Sequence, residues 1–110
     1  MLSIFITPAI LAFGISSATA APLNTTVQGL YRQCKSPDDV LLCEAYVAGV
    51  GDILKAYGAA GAKALSICGE PSYGAMVQAF VNWADANPNE WGKDCLFGVV
   101  GALTNNWRRQ

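Results

Sequence analysis

Four cysteines, Cys34, Cys43, Cys68 and Cys95, fall within a stretch of only about 90 residues once the apolar leader is set aside. A domain that short buries little apolar surface, and natural domains of this size commonly add disulfides or oligomerise. An even cysteine count behind a secretion signal reads as two disulfides. A zinc site fits poorly. The chain has no histidine and no Cys-x-x-Cys pair, and thiolates spaced by 9, 25 and 27 residues match no common ligand pattern. Neither a metal nor a cofactor is expected.

The leader itself is legible. From Leu2 to Phe13 the chain is almost wholly apolar, and it then passes Gly14, Ser16 and Ser17 to reach Ala18-Thr19-Ala20, the small-x-small pattern that signal peptidases cut. Cleavage is expected between Ala20 and Ala21, because a cut one residue later would put Pro22 first. No Lys or Arg precedes the run, but Pro8, Gly14 and the serines break it short of the roughly 20 apolar residues of a membrane span. The expected organisation is a signal peptide at 1–20 and one domain at 21–110, free of the membrane after cleavage. All seven Lys and Arg and all eight Asp and Glu lie after residue 30. That near-balance, with no basic cluster, argues against nucleic acid and anionic membrane as partners.

The apolar pattern is helical throughout, and no stretch alternates as a half-buried strand does. Val27, Leu30, Tyr31 and Cys34 make one short helix face, with Asn24 or Thr25 as its cap. Ser36-Pro37-Asp38-Asp39 starts a second helix, with proline at its first position and acids at its positive end. Its inward face is expected to be Val40, Cys43, Tyr46, Val47, Val50, Ile53, Leu54 and Tyr57, and Gly58 and Gly61 stop it. Gly49 and Gly51, inside this helix, are expected to admit a neighbouring backbone or aromatic ring. A phosphate loop would need a preceding strand and a Gly-Lys-Ser/Thr ending. Residues 58–68 read equally as a frayed turn or a loop.

From Ser72 a third helix turns Tyr73, Met76, Val77, Phe80, Val81 and Ala84 one way and ends at Asn87-Pro88. Asn87-Pro88-Asn89-Glu90 reads as a capping box that restarts the chain at once into a fourth helix, carrying Trp91, Leu96, Val99, Val100, Leu103 and Trp107, with Arg108 and Arg109 in its last turn. The expected fold is all-α, a compact up-and-down bundle of about four helices stapled by two disulfides. Cys34 and Cys43 flank a tight corner and are the favoured pair. That leaves Cys68 with Cys95, although three connectivities remain open to the sequence.

Catalysis finds little support. Without histidine the usual imidazole-assisted nucleophile is closed. The carboxylates have plainer explanations: Asp38, Asp39, Glu90 and Asp94 as helix-start charges, Asp52 as a solvated partner of Lys55. No enzyme is expected.

Several segments taken together are similar to a known family. These are Leu30-Tyr31-Arg32-Gln33-Cys34, then Cys43-Glu44-Ala45-Tyr46-Val47-Ala48-Gly49-Val50, then Cys68-Gly69-Glu70-Pro71-Ser72, the Asn87-Pro88 break, and Ala102-Leu103 near Trp107. Over nearly all of the mature chain they resemble the Rap/Tai periplasmic immunity proteins, the Cys-x-x-Tyr-x-x-Gly-Val core being the most specific part. The resemblance implies a helical, disulfide-bonded periplasmic protein, often a homodimer. It would bind a peptidoglycan amidase delivered by a type VI secretion system and block its active site. A closing Trp-Pro-Cys would be expected, but Trp107 is followed by Arg108-Arg109-Gln110 and the fourth cysteine stands at Cys95.

On that reading the inhibitory surface should be a protruding polar segment with an aromatic anchor. The 85–94 corner fits, with Trp91 as anchor among Asn87, Asn89, Glu90 and Lys93; otherwise Trp91 packs onto the third helix as core. The competing class is a periplasmic structural or chaperone-like helical protein without a toxin partner.

Overall fold

In a computed structural model, residues 26–59 and 67–108 are described. The Ala20–Ala21 junction, the leader, Asn24, Thr25, Gly61 and Arg109 lie outside them. Helix α1 spans Val27–Lys35, α2 Val40–Ala59, α3 Tyr73–Ala86 and α4 Cys95–Trp107, with one 3-10 turn at Pro88–Glu90. This is the expected all-α, four-helix architecture.

Thr26 caps α1, its Oγ1 accepting the Gly29 N–H at 3.1 Å. Ser72 does the same for α3 through the Ala75 N–H. Arg32 and Lys35 occupy the last turn of α1, where they complement the negative end of the dipole. Helix α2 starts three residues later than its proline suggests. The Asp39 N–H bonds back to Ser36 O, closing a turn over 37–39, and Asp39 O then accepts the first helical amides, Leu42 and Cys43.

Helix α4 starts later still, which corrects the expected restart at Pro88. The chain makes a single 3-10 turn and then gives its next carbonyls away: Val27 N–H bonds Lys93 O at 2.8 Å and Gln28 N–H bonds Trp91 O at 3.0 Å. Those two acceptors satisfy the otherwise orphaned first amides of α1. They are no longer available to propagate a helix through 91–94, so Trp91 sits in the turn before α4. At the other end, Arg108 lies beyond α4 with extended backbone, paired with Ile67; it is not in the last helical turn.

The core gathers Val27 and Leu30 of α1, Cys43, Val47, Val50 and Leu54 of α2, Met76, Ala79, Phe80 and Ala84 of α3, and Cys95, Val99, Ala102 and Leu103 of α4, with Ile67 added from the connection. Three faces differ from expectation, the first at the start of α3, where Tyr73 is exposed. Helix α2 packs by its 43-47-50-54 ridge, which leaves Val40 at the margin and Ile53 and Tyr57 55% and 44% exposed. On α4 the buried ridge is 95-98-99-102-103, so Leu96 turns outward. Thr104, the buried polar residue of α4, donates to Val100 O of its own helix at 2.7 Å.

The expected two disulfides reduce to one. Cys34 and Cys43 are joined, with Cα atoms 5.0 Å apart across the α1–α2 corner. Cys68 and Cys95 are not joined to each other. Cys95 opens α4 and its thiol donates to Tyr46 Oη at 3.2 Å. The Cys68 N–H is tied to Trp107 O at 2.8 Å, at the far end of the same helix. Twelve residues of helical rise separate them by roughly 18 Å, well beyond the reach of a disulfide.

The glycines of α2 divide. A Cβ on Gly51 would lie 2.5 Å from Met76 Sδ, so the close approach is real but comes from a methionine side chain instead of a backbone or ring. Around Gly49 there is open space. Gly98 of α4 has the aromatic neighbours instead: a Cβ there would meet Val27 Cγ2 at 2.7 Å and Trp83 at 3.0 Å. Gly98→Ala is therefore expected to destabilise the protein by about 1–3 kcal/mol through overpacking, while Gly49→Ala stabilises it by up to about 1 kcal/mol. Chemical denaturation of the two variants checks this; equal effects would sink it.

Candidate functional site

The 85–94 corner is assembled from both ends of its sequence. Asn87 closes α3, its N–H bonding Ala84 O and its Nδ2 donating to Trp83 O at 2.8 Å. Pro88 begins the 3-10 turn, Glu90 N–H returns to Asn87 O, and Lys93 N–H returns to Glu90 O. Trp91 then folds back over the corner. Its Nε1 donates to Ala84 O at 2.8 Å, and its ring lies 5.0 Å, centroid to centroid, from that of Tyr31 on α1. The Tyr31 hydroxyl in turn donates to Asp85 Oδ1. This bond to a carboxylate holds the Tyr31 phenol above its usual pKa.

Of the five residues expected to form the partner surface, two look inward. Trp91 is half-buried and engaged on both its ring and its N–H. Asn87 is half-buried as the cap of α3. Glu90 is intermediate: its Oε2 is buried and faces the Lys93 ammonium at 3.4 Å. Asn89 and Lys93 are exposed, and the Lys93 ammonium also stands 5.0 Å from the centre of the Phe97 ring. The corner thus offers hydrogen-bonding groups and one cation on a braced turn. The frame behind it, Tyr31 with Asp85, escaped the sequence because its parts are 54 residues apart.

Opposite chemistry marks the outer side of α2. Leu41 is 74% exposed and Leu42 54%, and further along Ile53 and Tyr57 border a groove of about 300 Å³ that Leu96 and Val100 of α4 complete. A signal for this was present, since Val40-Leu41-Leu42 cannot all face one core from a helix. Among the described residues no group of three or more metal-ligating side chains converges. Tyr46 and Cys95 meet between α2 and α4, and burial, then the bond from Cys95, pushes the Tyr46 phenol above its usual pKa. Their role is cohesive, tying α2 to the first residue of α4. No helix of the described residues is long and apolar enough to cross a membrane.

A family model described as Rap1a immunity proteins matches residues 26–108. The chain belongs to the Rap1a immunity protein family. No curated protein and no solved structure matches it. The Rap1a match opens on Thr26, the cap of α1, and closes on Arg108, the residue paired with Ile67. In this Rap1a member the Cys43–Val50 segment is largely structural: Cys43 is bonded to Cys34, Tyr46 to Cys95, and Val47 and Val50 are core.

Proposed function

We propose that the chain is exported through cleavage between Ala20 and Ala21, works in the periplasm, and binds and inhibits a peptidoglycan amidase delivered by type VI secretion. Membership of the Rap1a immunity family carries this reading. The protein acts by occupying its partner, not by catalysis. Asn89 and Lys93 supply the direct contacts, with Asn87 and Glu90 beside them and Trp91 as the internal support of the corner. Peptidoglycan hydrolysis by the cognate amidase, measured with increasing immunity protein, tests it. Lys93→Glu, which reverses the one exposed cation of the corner, is expected to weaken inhibition by about 1.4–3 kcal/mol, roughly tenfold or more, in excess of the stability lost when the Glu90 carboxylate faces a like charge. Full inhibition by Lys93→Glu together with Asn89→Ala would move the surface elsewhere. The neighbouring gene discriminates first: an amidase with a Cys and His pair supports immunity, and its absence favours a structural or chaperone-like role.

Two copies meeting along α2 would complete the proposal. Helix α2 is apolar on both sides, and such a helix is normally covered all round. Its outward stripe, Leu42, Ala45, Gly49, Ile53 and Ala56, carries no charge, so it can face its own copy without repulsion. Ile53→Asp is expected to give a monomer by sedimentation where the parent chain is a dimer; a parent chain that is monomeric at high concentration would refute it.

A further inference from the structure

A second cleft lies between the C-terminal turns of α3 and α4, away from the apolar stripe of α2. About 290 Å³ in volume, it is lined by Asn82, Trp83, Ala86, Asn87, Asn105 and Asn106 among others, and none of its lining side chains is charged. Four carboxamides around one small cleft are more than capping requires, since only Asn87 ends a helix.

Three of the four are already oriented by the fold. Asn87 Nδ2 donates to Trp83 O at 2.8 Å and Asn106 Nδ2 donates to Ala102 O at 2.9 Å. A backbone carbonyl can only accept, so both side chains keep Oδ1 for a ligand. Asn82 is set the other way: its Oδ1 accepts from Gln78 Nε2 at 2.8 Å, which keeps its Nδ2 hydrogens for a ligand. Asn105, exposed on the last turns of α4, can present both ends of its amide. The result is a mixed array of donors and acceptors next to an indole and the methyl groups of Ala79 and Ala86.

Neutral lining disfavours phosphates, carboxylates and ammonium groups, none of which would find a counter-charge. Hydroxyl groups, which both donate and accept, match the array, and an acetamido group adds an amide and a methyl for the alanines. The volume suits one ring-sized unit, at the lower end of ligand sites. We infer that this cleft binds a neutral N-acetylated sugar unit of a glycan, through Asn82, Asn87, Asn105 and Asn106. Peptidoglycan strands are such glycans, so the site would hold the protein on the material its partner attacks. The inference stands on the cleft alone and does not require the amidase reading.

The test is a titration of the ¹⁵N-labelled full mature chain with chitotriose, read at the side-chain amides of these asparagines and at the Trp83 indole N–H. Saturable shifts confined to the cleft, with affinity in the millimolar range or tighter, are expected. Cellotriose, which lacks the acetamido groups, should bind roughly tenfold more weakly. Asn105→Ala removes an exposed side chain and should weaken chitotriose binding by about tenfold with the melting temperature unchanged. The absence of saturable shifts, equal binding of the two sugars, an unaffected Asn105→Ala variant, or trialanine shifting the same resonances as strongly would each overturn the inference. Inhibition of the amidase by Asn105→Ala, measured alongside, reports on the other reading separately.

Discussion

Reducing the Cys34–Cys43 disulfide, or replacing both residues by serine, is expected to lower stability by about 2.5 kcal/mol, the chain-entropy value for a loop of this length. For a domain of this size that corresponds to a fall in melting temperature of more than about 10 °C. The reason lies in α1. Nine residues are too few to hold a helix alone, and α1 delivers Val27 and Leu30 to the core and Tyr31 to the Trp91 ring. Cys68→Ser is the control. Half-exposed and outside the disulfide, Cys68 should tolerate the change within about 0.5 kcal/mol. Thermal melts with and without reductant, followed by far-UV circular dichroism, check both. A comparable loss in Cys68→Ser, or an unreduced peptide joining residues 68 and 95, would contradict the single-disulfide arrangement.

Trp91→Ala should be comparably severe, at about 2–4 kcal/mol, a little below the range for a fully buried aromatic. The substitution removes the ring from Tyr31 and leaves Ala84 O without the indole donor. Trp91→Phe separates these contributions, since it retains a ring over Tyr31 and should forfeit about 1 kcal/mol for the hydrogen bond. From the sequence, Trp91 read either as the anchor of an interface, dispensable for folding, or as core on the third helix; its bond to Ala84 O and its contact with Tyr31 agree with the second. An unchanged melting temperature with collapsed amidase affinity would restore the anchor role.

Much of the fold was legible because its signals are local. The three-four spacing announced four helices, and the short Lys35-Ser36-Pro37 corner announced the Cys34–Cys43 bond. What escaped was non-local. The start of α4 is set by α1, whose first two amides claim the Trp91 and Lys93 carbonyls from more than 60 residues away. The outward turn of Ile53, Tyr57 and Leu96 follows from which ridge of each helix packs, and several ridges were apolar enough to serve. Gly98 carries no pattern of its own; its role appears only where Val27, Phe80 and Trp83 converge on it. In the corner, Asn89 and Lys93 were readable as exposed polar residues, whereas the inward turn of Trp91 depended on Tyr31 and Ala84.

The two carbonyls that the corner lends to α1 give the molecule a built-in reporter. Amide protons of Val27 and Gln28 exchange with solvent only when those bonds open, so their rates measure how often the 91–93 turn lets go. A partner clamped on Asn89 and Lys93 would slow that exchange at two backbone positions it never touches. Two peaks in a proton-exchange spectrum would then register occupancy of the corner.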